Sequence, residues 1–190
     1  SPLNGILGFV TLLQKGDLNT VQKESLAIIE RRGRELLELI ENILDAAKVE
    51  AGRLELSREW VSPEEVLASA VKRGRELAEE KAVAHGSAVE VKGEMQQGVP
   101  ALYVDAPRIT QAVINLVANA VKFVDHGSVR VRITHARAGR GVRIEVADQG
   151  RGIPEKDLAR IFDAFHQPLR SRRYGGLGLG LSMTKAIVSL

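Results

Sequence analysis

Residues 105–123 read DAPRITQAVINLVANAVKF. Asp105 is a natural N-cap, and the stretch predicts a helix running to about Phe123. Ile109, Val113, Leu116 and Ala120 are expected to face a core. Asn115, Asn119 and Lys122 stand at i, i+4 and i+7, which sets all three on one helical face. Two amides and an ammonium beside a packed face suit a polar site. Amide oxygens ligate Mg²⁺ without adding charge that would repel phosphates. Lysine can neutralise a phosphate oxygen. The same spacing also fits a solvent-facing polar stripe.

Downstream, Val129, Val131 and Ile133 alternate, as do Val142, Ile144 and Val146, with Ala138–Gly141 between them. That pattern predicts an antiparallel hairpin. The second run leads directly into Asp148-Gln149-Gly150-Arg151-Gly152. A carboxylate there can accept a hydrogen bond from an exocyclic amine such as that of adenine. The glycines permit close backbone approach, or simply a strand-ending turn. Gly175-Gly176-Leu177-Gly178-Leu179-Gly180-Leu181 opens a helical run. Backbone N–H groups at such a helix start suit a phosphate cradle. No lysine-bearing P-loop or βαβ dinucleotide unit surrounds it. Between these motifs, Phe162 and Phe165 are expected to clamp one helical turn onto the core. Arg170, Arg172 and Arg173 sit in a basic loop that reads as a lid over an anion, or as solvated charge.

Upstream, Leu3, Ile6, Leu7, Val10 and Leu13 recur at helical spacing, and Gly16-Asp17 breaks the pattern before a cap at Asn19 or Thr20. Leu26, Ile29, Gly33, Leu36, Ile40, Ile43 and Ala47 then step by alternating threes and fours, a heptad seam. A short and a long helix cannot bury these faces alone, so two copies are expected to pair into a four-helix bundle. Packing of the hairpin on the rest of the chain is the alternative. Gly52 ends the long helix, and Leu54, Leu56 and Trp60 read as a strand. Ser62-Pro63-Glu64-Glu65 starts a helix to about Lys81, with a glutamate three residues after the serine. Val89–Val91 and Ala101–Val104 read as strands. The order is α+β: a helical hairpin over 1–56, then strands and helices over 57–190 that do not alternate as regular βαβ units.

The chain has 190 residues, 44 % hydrophobic and 27 % charged, with net charge +3 and no cysteine. Disulfides and thiolate chemistry are excluded. The near-balanced charge gives no argument for nucleic acid. No apolar run approaches the ~20 residues needed to span a bilayer. The chain is therefore expected to be soluble, with any membrane attachment through parts outside it. Both ends look cut.

These motifs together resemble the histidine kinases. Residues 105–123 resemble their N box, Asp148–Gly152 the G1 box, Ile161–Phe165 the F box and Gly176–Leu181 the G2 box. Residues 1–9 (SPLNGILGF) resemble the stretch after the phosphoacceptor histidine. The resemblance implies a two-layer α/β sandwich over 57–190, the GHKL (Bergerat) ATP-binding fold shared with gyrase, Hsp90 and MutL. It implies ATP and Mg²⁺, a homodimer through residues 1–53, and phosphotransfer to a response-regulator receiver domain. Asn119 would ligate Mg²⁺ with Asn115 assisting. Lys122 would meet phosphate and Asp148 the adenine amine. Gly150, Gly152 and Ile153 would shape the adenine pocket, and Gly176 to Leu181, with Leu177, Gly178, Leu179 and Gly180 between, the phosphate cradle. Arg170, Arg172 and Arg173 would stabilise the transferring phosphoryl.

The resemblance puts the phosphoacceptor four residues before Ser1 and a final strand pair beyond Leu190. None of His85, His126, His135 or His166 occupies the phosphoacceptor position. Ser1 falls where related kinases carry threonine or asparagine linked to phosphatase activity. Relatives that hydrolyse ATP have a glutamate general base four residues before the magnesium asparagine. Asn115 stands there instead, and an amide cannot take the proton. That favours transfer to a protein nucleophile. A silent ATP-binding dimerisation module and an anti-sigma-type serine kinase are the alternatives, the latter disfavoured by the helical hairpin.

Overall fold

The computed structural model describes residues 2–136, 141–166 and 178–190. It divides into two compact units, Ser1–Arg53 and Leu54–Leu190.

The first unit is a helix pair, α1 (Pro2–Leu13) and α2 (Thr20–Glu50). Asn19 caps α2 through a reciprocal box. Its side chain accepts from the Gln22 N–H at 2.9 Å, and the Gln22 side chain accepts from the Asn19 N–H at 3.0 Å. The helices meet closely at Gly33, where an added Cβ would stand 2.7 Å from Leu7 Cδ2. Val10 and Leu26 are buried between them, but Phe9, Leu12, Ile29, Leu36, Ile40 and Ile43 remain exposed.

In the second unit, α3 (Pro63–His85) and α4 (Ala106–Phe123) pack on a three-stranded sheet. Its order is β2 (Ala88–Met95), β4 (His126–His135), β5 (Val142–Asp148). The central strand is parallel to β2 and antiparallel to β5. Val129 and Val131 are fully buried in one cluster with Val113, Val117 and Val121 of α4 and Val66 and Ala70 of α3, and Ile133 of the same strand is fully buried as well. Helix α6 (Gly180–Ser189) packs on α4, and its Thr184 Oγ1 donates to Gly180 O at 2.9 Å. The short α5 spans Glu155–Leu158.

Several local expectations change. Leu54 and Leu56 lie outside any strand; β1 is only Glu59–Val61 and pairs with β3, Leu102–Val104. Leu54 is buried, which accounts for its apolar signal. Helix α3 continues four residues past Lys81 to His85 and stops at Gly86, a left-handed C-cap. The Ser62 cap accepts from Glu64 N–H, and its hydroxyl bonds the Glu64 carboxylate rather than that of Glu65. Phe162 and Phe165 are exposed, so they clamp no core, and Phe165 has φ +62°. Positions 138–140 of the expected hairpin turn lie outside the described residues.

Asp105 caps α4 by accepting from Arg108 N–H at 3.1 Å and also takes the Ser57 N–H at 3.0 Å. The other end of α4 is tied by Lys81 from α3. Its Nζ donates to the carbonyls of Val121, Lys122 and Val124 at 3.1, 3.0 and 2.6 Å, and lies 2.9 Å from Asp125 Oδ1. Carbonyls of a last turn have no partner within the helix, so a cation there satisfies both bonding and dipole.

Helix α3 crosses α4 and β2 at Gly74. A Cβ there would meet Val117 Cγ1 at 2.6 Å and Val91 Cγ1 at 3.0 Å, both on stiff β-branched side chains. Gly74→Ala is expected to destabilise by about 1–3 kcal/mol from overpacking, partly offset by about 1 kcal/mol of helix propensity. A lowered urea midpoint checks this. The Lys81 hydrogen bond holds the Asp125 carboxyl below its ordinary pKa. That contribution is complete above the unfolded value, about 3.9, and is lost as pH falls through the folded one. Asp125→Asn should therefore be less stable than wild type at pH 7, with the difference shrinking as pH falls below about 3.9. Denaturation midpoints across that range are the measurement.

Candidate active site

Along α4, the valine stripe that faces the sheet fixes where the other face points. Leu116, Asn119, Ala120 and Phe123 line a cavity of about 1250 Å³. Leu116 thus belongs to the cavity wall rather than the core, whereas Val117 and Val121 take the core positions. The opposite wall comes from the end of β5 and the 151–166 segment, with Asp148, Gly152 and Ile153 among its residues, and Leu181 of α6 closes one side.

The turn after β5 is built around its glycines. Gly150 N–H donates to Asp148 Oδ1 at 2.8 Å. A Cβ on Gly150 would stand 2.7 Å from that oxygen and 2.9 Å from Phe123 O, so a side chain there would break the turn. Gly152 has φ +69°. One Asp148 oxygen is thereby oriented, and the exposed carboxylate can accept from an amine in the cavity.

Asn119 presents an amide to the cavity, but Asn115 does not line it. The Asn115 carbonyl oxygen accepts from Gln111 Nε2 at 3.1 Å, and its amide nitrogen faces Gly180 O at 3.5 Å. It ties α4 to the start of α6. Lys122 is half-buried next to Phe123, its Nζ 5.4 Å from the ring centroid, and burial lowers its pKa below the usual lysine value. Gly178 has φ +72°, and its carbonyl accepts from Phe165 N–H at 3.2 Å. Leu179 is buried. Helix α6 begins at Gly180, and the residue at its N-cap, Leu179, makes no side-chain capping bond to the first-turn N–H groups. Gly176, Leu177, Arg170, Arg172 and Arg173 lie outside the described residues.

Two residues that the sequence reading passed over belong to this site. Phe123 read as a helix end, yet its ring lines the cavity. Arg151, quoted in the 148–152 stretch without a role, places its guanidinium 5.0 Å over that ring. Its position between two glycines of an acidic turn is the signal that could have raised it.

The donor set bears on Mg²⁺. Among the described residues no group of three or more His, Cys, Asp or Glu side chains could hold a metal. The cavity instead offers the neutral Asn119 amide, which suits a hard cation that keeps waters and takes phosphate oxygens as its main ligands. Asn119 fits this role better than Asn115, whose oxygen is already engaged.

Comparison with known proteins agrees with this geometry. Residues 104–190 match the histidine kinase-, DNA gyrase B- and HSP90-like ATPase family, and residues 1–52 the His Kinase A (phospho-acceptor) domain. The chain is 37 % identical over 195 residues to the signal transduction histidine-protein kinase BarA of Escherichia coli (strain K12). It is 36 % identical over 200 residues to the sensory/regulatory protein RpfC of Xanthomonas campestris pv. campestris. The matches cover 100 % and 99 % of this chain but only 21 % and 26 % of those relatives. Among solved structures, full-length ShkA in complex with AMPPNP superposes with a TM-score of 0.70 at 33 % identity, over 99 % of this chain and 38 % of that one. The mycobacterial sensor histidine kinase MprB gives 0.55 at 26 % identity, over 70 % and 78 %. With the amide of α4, the acidic turn and the uncapped α6 around one cavity, and with both halves matched in order, the chain belongs to the sensor histidine kinases, as a catalytic core of the GHKL type.

Proposed function

We propose that this chain binds ATP with Mg²⁺ in the cavity between α4 and the 148–166 segment. In the whole protein, the γ-phosphate would then pass to a histidine just upstream of residue 1, and on to a receiver-domain aspartate. The observation that carries the reading is the convergence of Asn119, Asp148 and Gly152 on one cavity large enough for a nucleotide. Asp148 would accept from the adenine amine, with Phe123, Gly150, Gly152 and Ile153 shaping the base pocket. Asn119 would hold the metal, whose charge would offset that of the phosphates. Lys122 and the α6 start, with Gly176 to Leu181, would receive the phosphate tail. In the transfer, an imidazole nitrogen forms a bond to the γ-phosphorus as the bond to the ADP oxygen breaks. Basic groups of the 170–173 loop, Arg170, Arg172 and Arg173, would stabilise the charge on the moving phosphoryl.

The helix pair supports a homodimer. Phe9, Leu12, Leu36 and Ile40 stay exposed, and such a face is normally covered by a partner. We place the catalytic core in the cytoplasm, where ATP and receiver domains reside. No helix among the described residues is long and apolar enough to cross a membrane.

Asn119→Ala is expected to abolish the Mg²⁺ dependence of ATP-analogue binding. Asp148→Asn should weaken binding by about 1.5–3 kcal/mol, the worth of a charge-assisted hydrogen bond. Isothermal titration reads both, and full affinity in both variants would remove the site assignment. Lys122 must be protonated to meet phosphate, and burial lowers its pKa from 10.5. Affinity should therefore fall as pH rises toward 10.5, before an exposed lysine would lose its proton. Lys122→Arg, charged throughout, should flatten that alkaline limb of the pH profile.

A further inference from the structure

We infer that Lys81 is a positioning residue of the nucleotide site, acting through Phe123 from a helix that lines no part of the cavity. The inference rests on the reading of that cavity as a nucleotide site. The Lys81 ammonium is 12 % exposed and is spent on the C-terminal turn of α4. Its acceptors are the carbonyls of residues 121, 122 and 124 and the Asp125 carboxylate, which bracket Phe123 on both sides in sequence.

Phe123 makes two contacts at the acidic corner of the cavity. Its ring carries Arg151, and its carbonyl abuts Gly150, whose N–H orients Asp148. Both depend on the rotation of the last turn of α4, where the helix can no longer hold its own carbonyls. A compact ammonium with three donors can gather acceptors that converge on a point. The planar guanidinium of arginine cannot copy that arrangement. A neutral apolar replacement would withdraw the ammonium from all three carbonyls, and the turn would shift or fray. Asn119 lies a full turn further in, so the metal end of the site should be unaffected.

The test uses the chain as it stands, with the fluorescent analogue TNP-ATP titrated well below each variant's unfolding midpoint. Lys81→Met is expected to bind about tenfold more weakly, the scale of one lost ligand hydrogen bond. Lys81→Arg should lose about threefold, a partial rescue. The ratio of affinities with and without Mg²⁺ should stay at the wild-type value in both. A cap that served stability alone would lower the melting midpoint and leave affinity unchanged. Affinity within about twofold of wild type in folded Lys81→Met would overturn the inference, and should that variant not fold, the same result in Lys81→Arg would do so. A wild-type chain that does not bind TNP-ATP would overturn both this role and the nucleotide reading. Binding by wild type with no loss in either variant would remove the role of Lys81 alone.

Discussion

The burial of one valine stripe governs the second unit. Val113, Val117 and Val121 fall at i, i+4 and i+8 on α4 and are each almost completely removed from water. With 3.6 residues per turn, sinking that stripe leaves no freedom in the direction of Leu116, Asn119 and Phe123. The sheet meets it with Val129 and Val131, and α3 closes over it at a position without a Cβ. Fully burying each such side chain contributes about 1.5–3 kcal/mol. The orientation of the polar face is thus imposed by apolar packing, before any ligand is present.

Much of this was legible because its determinants are local. Asn19, Ser62 and Asp105 all cap the helices that their neighbouring residues suggest. Alternation at 129–133 and 142–146 predicted strands that do pair antiparallel. The acidic turn was readable from its glycines, two of which have clear structural reasons, one steric and one a positive φ. What stayed hidden depends on partners far along the chain. Lys81 looks like any solvated lysine near a helix end, yet its acceptors lie 40 to 44 residues later. Leu116 and Val117 are both apolar, and periodicity could not tell the cavity wall from the core. The apolar character of Phe162 and Phe165 suggested burial, but both are exposed beside the cavity. Asn115 shared a face with Asn119 and was expected to share its role, until α6 supplied a backbone partner that no local pattern announces.

The two units manage apolar surface differently. The second encloses the valines of its core within one chain. The helix pair leaves a broad apolar strip in water, although its capping box and the Gln14–Glu30 and Arg34–Glu30 bonds are well formed. Exposed contacts of this kind, one to a neutral amide and one an ion pair, contribute little. The pair's local order therefore comes from helix geometry and a thin internal contact at Gly33, Leu7, Val10 and Leu26.

Gly150 offers a last consequence. It brings no functional group to the cavity, yet its missing methyl is what lets a carboxylate and a helix-terminal carbonyl crowd the same small space. Chemistry at this corner is protected by empty volume. Damage from even the smallest added side chain would thus resemble the loss of the acidic residue itself, although that residue would be untouched.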